Sequence, residues 1–227
     1  MVNMLKNLLI ALLFIVVIIF AGCNEEPLQF DTPVKEPGEN VDMKKIVALG
    51  DSLTAGYGVD LNKSYPALLE KKLQENGYHY RVINAGVSGE TSSGTLARVE
   101  WILTQNPEIV ILETGGNDGL RGVAVSLLEE NLREIVEILH ENNVAVLLAG
   151  MKMVWNLGPV YVSEFNKVYP KIAEEKGVVL MPFFLEGVAA KRDLNIEDGI
   201  HPNSAGYVVI VENLYPYVVK VIDSVNK

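Results

Sequence analysis

The sequence predicts an α/β fold in which a five-stranded parallel sheet lies between two layers of helices, a three-layer α/β/α sandwich. Three observations predict it. From residue 43 to residue 227, short runs rich in β-branched residues alternate with longer amphipathic segments, as in successive βαβ units. The runs number five, and neither an internal repeat nor a second linker divides this part of the chain. Its length is that of one ordinary domain.

The predicted strands cover residues 45–49, 80–84, 108–113, 144–148 and 178–181. Helical spacing of apolar residues appears over residues 65–74, 95–104, 127–141 and 163–176, and a last helix is expected over residues 203–222. Ligands of open parallel sheets bind outside the carboxyl ends of the strands, near the point where the strand order reverses. The loops that follow the strands are therefore the place to look for function.

The first 22 residues have the layout of an export signal. Lys6 precedes an uncharged apolar run, and small residues stand directly before Cys23. The pattern resembles a bacterial lipoprotein signal, in which the cysteine receives a lipid and becomes the mature N-terminus, although Phe20 stands where that motif usually has Leu. The alternative is an uncleaved membrane helix, for which the run only just reaches the ~18 residues needed to span a bilayer. Either way, we expect the rest of the chain to be exported and held at a membrane.

Residues 24–42 are rich in Glu, Pro, Asp, Asn and Gly and contain few large apolar side chains, so they cannot bury enough surface to fold. The expected organisation is therefore a lipoprotein signal peptide over residues 1–22, a lipid-anchored tether over residues 23–42 and one folded domain over residues 43–227.

The overall composition excludes several classes of protein. The chain has Lys+Arg 19 against Asp+Glu 29, a net charge of −10, which argues against nucleic-acid binding because that affinity comes mainly from neutralising phosphates. Cys23 is the single cysteine, which excludes an internal disulfide and a multi-cysteine metal site. The mean hydropathy of +0.20 is high for a soluble protein and comes largely from the N-terminal run.

A serine follows the first predicted strand, in the segment Gly50-Asp51-Ser52-Leu53. At the start of a turn or helix, a serine lies beside unpaired backbone N–H groups that stabilise a negatively charged oxygen. A simple N-capping role explains Asp51 or Ser52 equally well when either is taken alone. The loop lacks the Gly-Lys-Ser/Thr end of a phosphate-binding loop, and Thr54 replaces the second glycine of a Gly-x-Ser-x-Gly elbow.

Two candidate oxyanion donors follow the next two strands. Gly89 can present its backbone N–H, and Asn117 can aim its side-chain amide at the same point. Taken singly, the loop of Gly89 is better explained as a turn that caps the next helix, and Asn117 fits a left-handed turn position.

A histidine, His201, precedes the last predicted helix, and Asp198 stands three residues before it. An acid at this spacing can fold back to hold the Nδ1–H of the imidazole, as a general base requires. His79 and His140 lie in charged stretches and are expected to be solvated surface residues.

The four loops together contain the segments Gly50-Asp51-Ser52-Leu53, Gly89, Gly115-Gly116-Asn117-Asp118 and Asp198-x-x-His201. They resemble, in the usual order, the four blocks of the SGNH (GDSL-type) hydrolase family. The stretch from Gly115 to Gly122, the segment Met181-Pro182-Phe183-Phe184 and the run from Asp198 to Asn203 resemble more narrowly the bacterial multifunctional acyl-CoA thioesterase I/arylesterase/lysophospholipase L1 group. That group often carries a proline-containing stretch after the fourth strand, whereas residues 151–158 here contain no proline.

The resemblance implies a flavodoxin-like sandwich and a serine-dependent ester hydrolase. Ser52 would be the nucleophile, His201 the base and Asp198 the residue that orients it. The backbone N–H groups of Ser52 and Gly89 and the amide of Asn117 would form the oxyanion hole. The implied substrates are arylesters, short or medium acyl esters, thioesters and lysophospholipids, with no metal or organic cofactor.

Two other functions remain open from the residues alone: an envelope acyltransferase or deacetylase acting on a polysaccharide, and a non-catalytic ligand-binding lipoprotein. The expected partners are a small acyl ester or lipid and the membrane, through a lipid on Cys23, with no nucleic acid, and the chain is expected to be a monomer. Leu120, Trp155 and Leu157 are candidates to flank an acyl chain or to belong to the core, and core is the preferred interpretation for Phe183 and Phe184.

Overall fold

A computed structural model describes residues 43–153 and 157–226. The predicted signal peptide over residues 1–22 and the tether over residues 23–42, with Cys23, lie outside the described residues, as does Trp155.

The sheet contains five strands, and every neighbouring pair is parallel. They are β1 (Lys44–Gly50), β2 (Tyr80–Gly86), β3 (Ile109–Glu113), β4 (Ala145–Ala149) and β5 (Val179–Met181), in the order β2-β1-β3-β4-β5. The predicted five-stranded parallel sheet is confirmed, and each strand lies within two residues of its predicted bounds. The order is flavodoxin-like and places the switch point between β1 and β3.

The central strands form because their residues are apolar on both faces, as a sheet covered by helices on each side requires. All five residues of β3 and the last five of β1 are buried. The register aligns the ends of three strands, since Gly50 pairs with Gly86 on one side and with Glu113 on the other. The loops that leave β1, β2 and β3 therefore start side by side.

Eight α-helices surround the sheet in the described part of the chain. They are α1 (Ser52–Ala55), α2 (Tyr65–Glu75), α3 (Ser92–Ala97), α4 (Val99–Leu103), α5 (Gly116–Leu120), α6 (Val125–Glu141), α7 (Pro159–Lys176) and α8 (Ser204–Val225). The single helix predicted over residues 95–104 is in fact two, α3 and α4, which meet at Arg98. The guanidinium of Arg98 donates to the Ala85 carbonyl and to the Glu90 carboxylate, which ties this residue to the loop beneath it.

The helices form one layer on each face of the sheet. Helices α2 and α8 pack together on one face, whereas α3, α4 and α7 pack around α6 on the other. Within the described residues, α8 alone is long and apolar enough to cross a membrane by length and composition. One side of α8 is buried in the protein, and it contacts β4 and β5, so it serves here as a core helix.

Three predictions about single side chains can be checked in this fold. Phe184 is fully buried, as predicted for a core residue. Phe183 is only partly buried, and the Nζ of Lys152 lies 5.0 Å from its ring centroid. His79 and His140 are exposed, as predicted.

Candidate active site

Ser52 is the first residue of α1, directly after β1. The side chain of Asp51 caps this short helix, since its Oδ1 accepts a hydrogen bond from the Leu53 backbone N–H at 2.9 Å. Both the capping interpretation of Asp51 and the placement of Ser52 at a helix start therefore hold. Ser52 is largely buried, with 9% of its surface exposed.

The structure brings Ser52, His201 and Asp198 into one hydrogen-bonded line. The Oγ of Ser52 lies 2.8 Å from Nε2 of His201, and Nδ1 of His201 lies 2.6 Å from Oδ2 of Asp198. The other oxygen of Asp198 accepts from the backbone N–H groups of Ile200, at 2.8 Å, and of His201, at 3.0 Å. The ring of Tyr57 packs against the imidazole with 4.7 Å between the ring centroids.

The contacts of Asp198 keep this carboxyl ionised. Partial desolvation acts to raise its pKa, but hydrogen bonds from the backbone and ring of His201 and from the Ile200 N–H outweigh it and lower the pKa to about 2. Asp198 is therefore negatively charged across the neutral pH range, facing the Nδ1 side of the imidazole.

The loop after β2 carries Gly89 in a left-handed conformation, with φ of +80°, which suits a residue without a Cβ. Two arginines hold this loop. Arg121 donates from Nη2 to the Gly89 carbonyl at 2.7 Å, and Arg98 forms an ion pair of 2.6 Å with Glu90. Among the described residues, the backbone N–H groups of Ser52 and Gly89 have no hydrogen-bond acceptor. Both are thus available to an incoming oxygen.

Asn117 lies in the first turn of α5, and its amide is already engaged. Its Nδ2 donates to Oδ2 of Asp51 and to the carbonyl oxygen of Glu90, both at 3.0 Å. The sequence predicts only that this amide points at the oxyanion site, without these two acceptors. A ligand oxygen that accepts from this amide would have to share one of the two hydrogens with Asp51 or Glu90.

Two buried carboxyl groups lie beneath the serine, and sequence reasoning missed one of them. Glu113, the last residue of β3, is fully buried, and its Oε2 accepts from the Thr54 hydroxyl at 2.8 Å and from the Asp51 backbone N–H at 3.4 Å. A Cβ on residue 50 would collide with Thr54 Oγ1 and with the Glu113 carboxyl, so only glycine fits there. The signal that could have identified Glu113 is an acid at the end of an otherwise apolar strand.

Burial governs the protonation of this pair. Desolvation raises the pKa of Glu113, and the neighbouring Asp51 carboxyl raises it further. Desolvation also raises the pKa of Asp51, against the opposing effects of the Leu53 N–H, His201 and Asn117. The side chain of Glu113 therefore favours its neutral form, in keeping with a buried Oε1 that has no hydrogen-bond partner among the described residues.

The raised pKa of Glu113 predicts a pH effect on stability that Glu113→Gln removes. The folded state keeps this proton in a range where the unfolded chain, with a pKa near 4.5, has lost it. The free energy of unfolding of the wild type should therefore fall as pH rises above that value, by up to about 1.4 kcal/mol per pH unit for one proton. Urea unfolding at pH values from about 4.5 to about 8 should give a flatter curve for Glu113→Gln. Parallel curves for the two proteins would contradict the prediction.

The loops of the site carry exposed large apolar side chains. Each of the four site loops carries one that is about half exposed: Tyr57, Val87, Leu120 and Ile200. Leu157 is also exposed at the next loop. We call Tyr57, Val87, Leu120 and Ile200 the apolar rim of the site.

Known proteins are similar to this chain in both sequence and fold. Residues 48–209 match the model of the GDSL-like lipase/acylhydrolase family. Esterase TesA of Pseudomonas aeruginosa is 41% identical over 172 residues, which cover 75% of this chain and 86% of the relative. Thioesterase 1/protease 1/lysophospholipase L1 of Escherichia coli K12 is 42% identical over 159 residues, covering 70% of this chain and 75% of the relative.

A solved structure agrees with these sequence matches. The psychrotrophic esterase EstA from Pseudoalteromonas sp., described as inhibited by monoethylphosphonate, superposes with a TM-score of 0.76 at 34% identity, covering 79% of this chain and 99% of the other. With the family match over residues 48–209 and identities of 41% and 42% to these two relatives, the chain belongs to the GDSL-like lipase/acylhydrolase family, the SGNH hydrolases.

Proposed function

We propose that this chain hydrolyses carboxylic esters with Ser52 as nucleophile, His201 as general base and Asp198 as the group that orients the imidazole. The observation that carries the assignment is the continuous pair of hydrogen bonds, 2.8 Å from Ser52 Oγ to His201 Nε2 and 2.6 Å from His201 Nδ1 to Asp198 Oδ2. A serine becomes a useful nucleophile only when an adjacent base removes its proton, and that base must be held in one tautomer.

Acylation follows from this geometry. Because the Asp198 carboxylate accepts from Nδ1, Nδ1 carries the imidazole hydrogen, and the lone pair of Nε2 faces Ser52 Oγ. Oγ attacks the ester carbonyl carbon while its proton passes to Nε2, and the carbonyl electron pair moves to the oxygen. His201 then gives the proton to the departing alcohol oxygen as that C–O bond breaks, which leaves the acyl group on Ser52.

Deacylation repeats the steps with water. A water molecule attacks the acyl carbon as its proton passes to Nε2, and the collapse of the second tetrahedral intermediate returns that proton to Ser52 Oγ. In both steps the developing negative oxygen would be stabilised by the N–H groups of Ser52 and Gly89 and by the Asn117 amide. Backbone N–H groups held without other acceptors are suited to this task because they need no reorganisation during the reaction.

A covalent trap tests the nucleophile directly. Treatment of the full chain with a p-nitrophenyl alkylphosphonate should release one p-nitrophenol per protein and abolish esterase activity, because phosphorus mimics the tetrahedral carbon. Mass spectrometry of a tryptic digest should find the phosphonyl group on the peptide of residues 46–63, at Ser52. Urea-unfolded protein, the control, should remain unlabelled. Full inactivation with the adduct on another peptide would refute the assignment.

The apolar rim supports esters with an apolar acyl or aryl group as the substrates. Tyr57, Val87, Leu120 and Ile200 offer exposed apolar surface on all four loops that meet at Ser52. We propose arylesters and short or medium acyl esters as the main substrates, with thioesters and lysophospholipids as further ones. Rates with p-nitrophenyl esters, an S-acyl thioester and lysophosphatidylcholine measure this range, and hydrolysis restricted to p-nitrophenyl acetate would contradict it.

We further propose that the enzyme is a lipoprotein that works at the outer surface of the bacterial cell membrane. The support is the sequence alone: an apolar segment, small residues before Cys23 and a polar stretch up to the domain. The enzyme would act as a monomer, since all four site loops come from one chain.

Cys23→Ser tests this anchoring. The variant should lose incorporation of an alkyne-labelled fatty acid, because serine offers no thiol for the lipid. Its esterase activity per protein should equal that of the wild type, since Cys23 precedes residues 43–227, the predicted domain that contains all the site residues. Fatty-acid labelling that persists in Cys23→Ser, or that is absent from the wild type, would show that the chain is not a Cys23-linked lipoprotein.

A further inference from the structure

The two carboxyl oxygens of Asp51, the residue before the proposed nucleophile, accept hydrogen bonds from different partners. Its Oδ1 accepts from the Leu53 N–H at 2.9 Å and caps α1, whereas its Oδ2 accepts from Asn117 Nδ2 at 3.0 Å. Asp51 is only 2% exposed, so water does not compete for either oxygen. Capping explains the first contact and leaves the second without a structural purpose.

The contact with Asn117 joins two loops of the active site. Asp51 belongs to the loop after β1, and Asn117 to the loop after β3, on the two sides of the switch point. The remaining amide hydrogen of Asn117 goes to the carbonyl of Glu90, in the loop of Gly89. An amide bound on both of its hydrogens is held in one plane and one rotamer.

Asp51 is itself fixed from below. Its backbone N–H donates to Oε2 of Glu113, which also accepts from the Thr54 hydroxyl within α1. Asp51, whose carboxyl contacts Asn117, is therefore hydrogen-bonded to Glu113 at the buried end of β3. It cannot move without disturbing the turn that contains Ser52.

We propose that Asp51 is a positioning residue of the reaction, which sets the direction of the Asn117 amide and thereby the stabilisation of the oxyanion. The inference rests on the proposed function, in which Asn117 donates to that oxygen. Donors that are already oriented stabilise a developing charge without paying for reorganisation. Asp51 acts through Asn117 and touches no reacting atom.

Asp51→Asn separates the two tasks of this side chain. Asparagine has one oxygen, which is able to keep the Leu53 cap, and its NH2 group then faces the NH2 group of Asn117, donor against donor. We expect kcat to fall by ~10- to 100-fold while KM changes less than about threefold, because the contact matters in the transition state. Asp51→Ser, which also caps a helix but cannot reach Asn117, should show the same loss and covers the case in which Asp51→Asn folds poorly.

A double-mutant cycle decides between positioning and general disturbance. Asn117→Ala alone should lower kcat by ~10²- to 10³-fold. In the Asn117→Ala background, Asp51→Asn should cost less than about threefold, since the amide that it positions is gone. The matched control is Asp118→Asn: this neighbouring carboxylate is fully buried and accepts from the N–H and hydroxyl of Ser92, not from Asn117. If Asp118→Asn lowers kcat, the double variant with Asn117→Ala should show the product of the two single fold-losses.

The outcomes distinguish failure of this inference from failure of the proposed ester hydrolysis by Ser52. The inference is supported if the kcat losses of Asp51→Asn and Asn117→Ala are less than multiplicative in the double variant, while those of Asp118→Asn and Asn117→Ala multiply. Multiplying losses for Asp51 and Asn117, or an unchanged kcat in both Asp51 variants, overturn it while the Ser52 mechanism stands. Full kcat in Asn117→Ala removes Asn117 from the oxyanion hole and overturns the inference with it.

Discussion

Replacing Ser52 with alanine is expected to lower kcat for p-nitrophenyl esters by ~10⁴- to 10⁶-fold, the scale on which a catalytic serine contributes as part of its triad. The variant lacks the side-chain oxygen that His201 Nε2 contacts at 2.8 Å, so no acyl-enzyme can form on this residue. What activity remains would come from the oxyanion donors and binding alone.

The same substitution should leave the fold intact. Ser52 begins α1, the cap of that helix comes from Asp51, and alanine suits a helix interior and adds no atom to the packed turn. Urea unfolding should therefore give a free energy of unfolding within about 1 kcal/mol of the wild type. Ser163→Ala on the exposed side of α7 is the matched control and should keep full kcat. Retention of more than about a hundredth of wild-type kcat by folded Ser52→Ala would exclude the serine mechanism.

The central strands β1, β3 and β4 could be predicted closely because each is a short apolar run that is almost entirely buried, so composition alone marks it. The two short helices of the site, α1 and α5, could not be predicted. Helices α1 and α5 have four and five residues, too few to show a 3.6-residue period. The division at Arg98 was also hidden, since the guanidinium of Arg98 contacts the carbonyl of Ala85, which lies 13 residues earlier in the sequence.

Part of the candidate site could likewise be predicted from the sequence, and part could not. The expectation that Ser52, Asp198 and His201 meet needed only the rule that parallel strands end at one edge and the three-residue spacing of the acid and the histidine. The position of the buried Glu113 beneath these residues depends on the register of the strands. Glu113 reaches the serine turn because it pairs with Gly50 across β1 and β3, and no local pattern encodes that pairing.

Asp198→Asn is the second large prediction, with kcat expected to fall by ~10³- to 10⁴-fold. Asparagine is almost isosteric, and its oxygen is able to keep the hydrogen bonds from the Ile200 and His201 N–H groups, so the loop should hold its shape. The amide NH2 would then donate to His201 Nδ1. The imidazole hydrogen must move to Nε2, which can no longer accept the proton of Ser52.

The pH dependence distinguishes this loss of orientation from damage to the loop. Since hydrogen bonds lower the pKa of Asp198 to about 2, the wild type keeps the charged acid throughout the working range. The stability that this charge contributes is present above the unfolded value of 3.8 and is lost only as pH falls toward about 2. At neutral pH, Asp198→Asn should thus lose kcat far more than KM, and above about pH 4 its stability should run parallel to that of the wild type. A variant that recovers wild-type kcat at any pH above about 4 would show that Asp198 does not fix the tautomer, because the amide cannot become an acceptor-only group by titration.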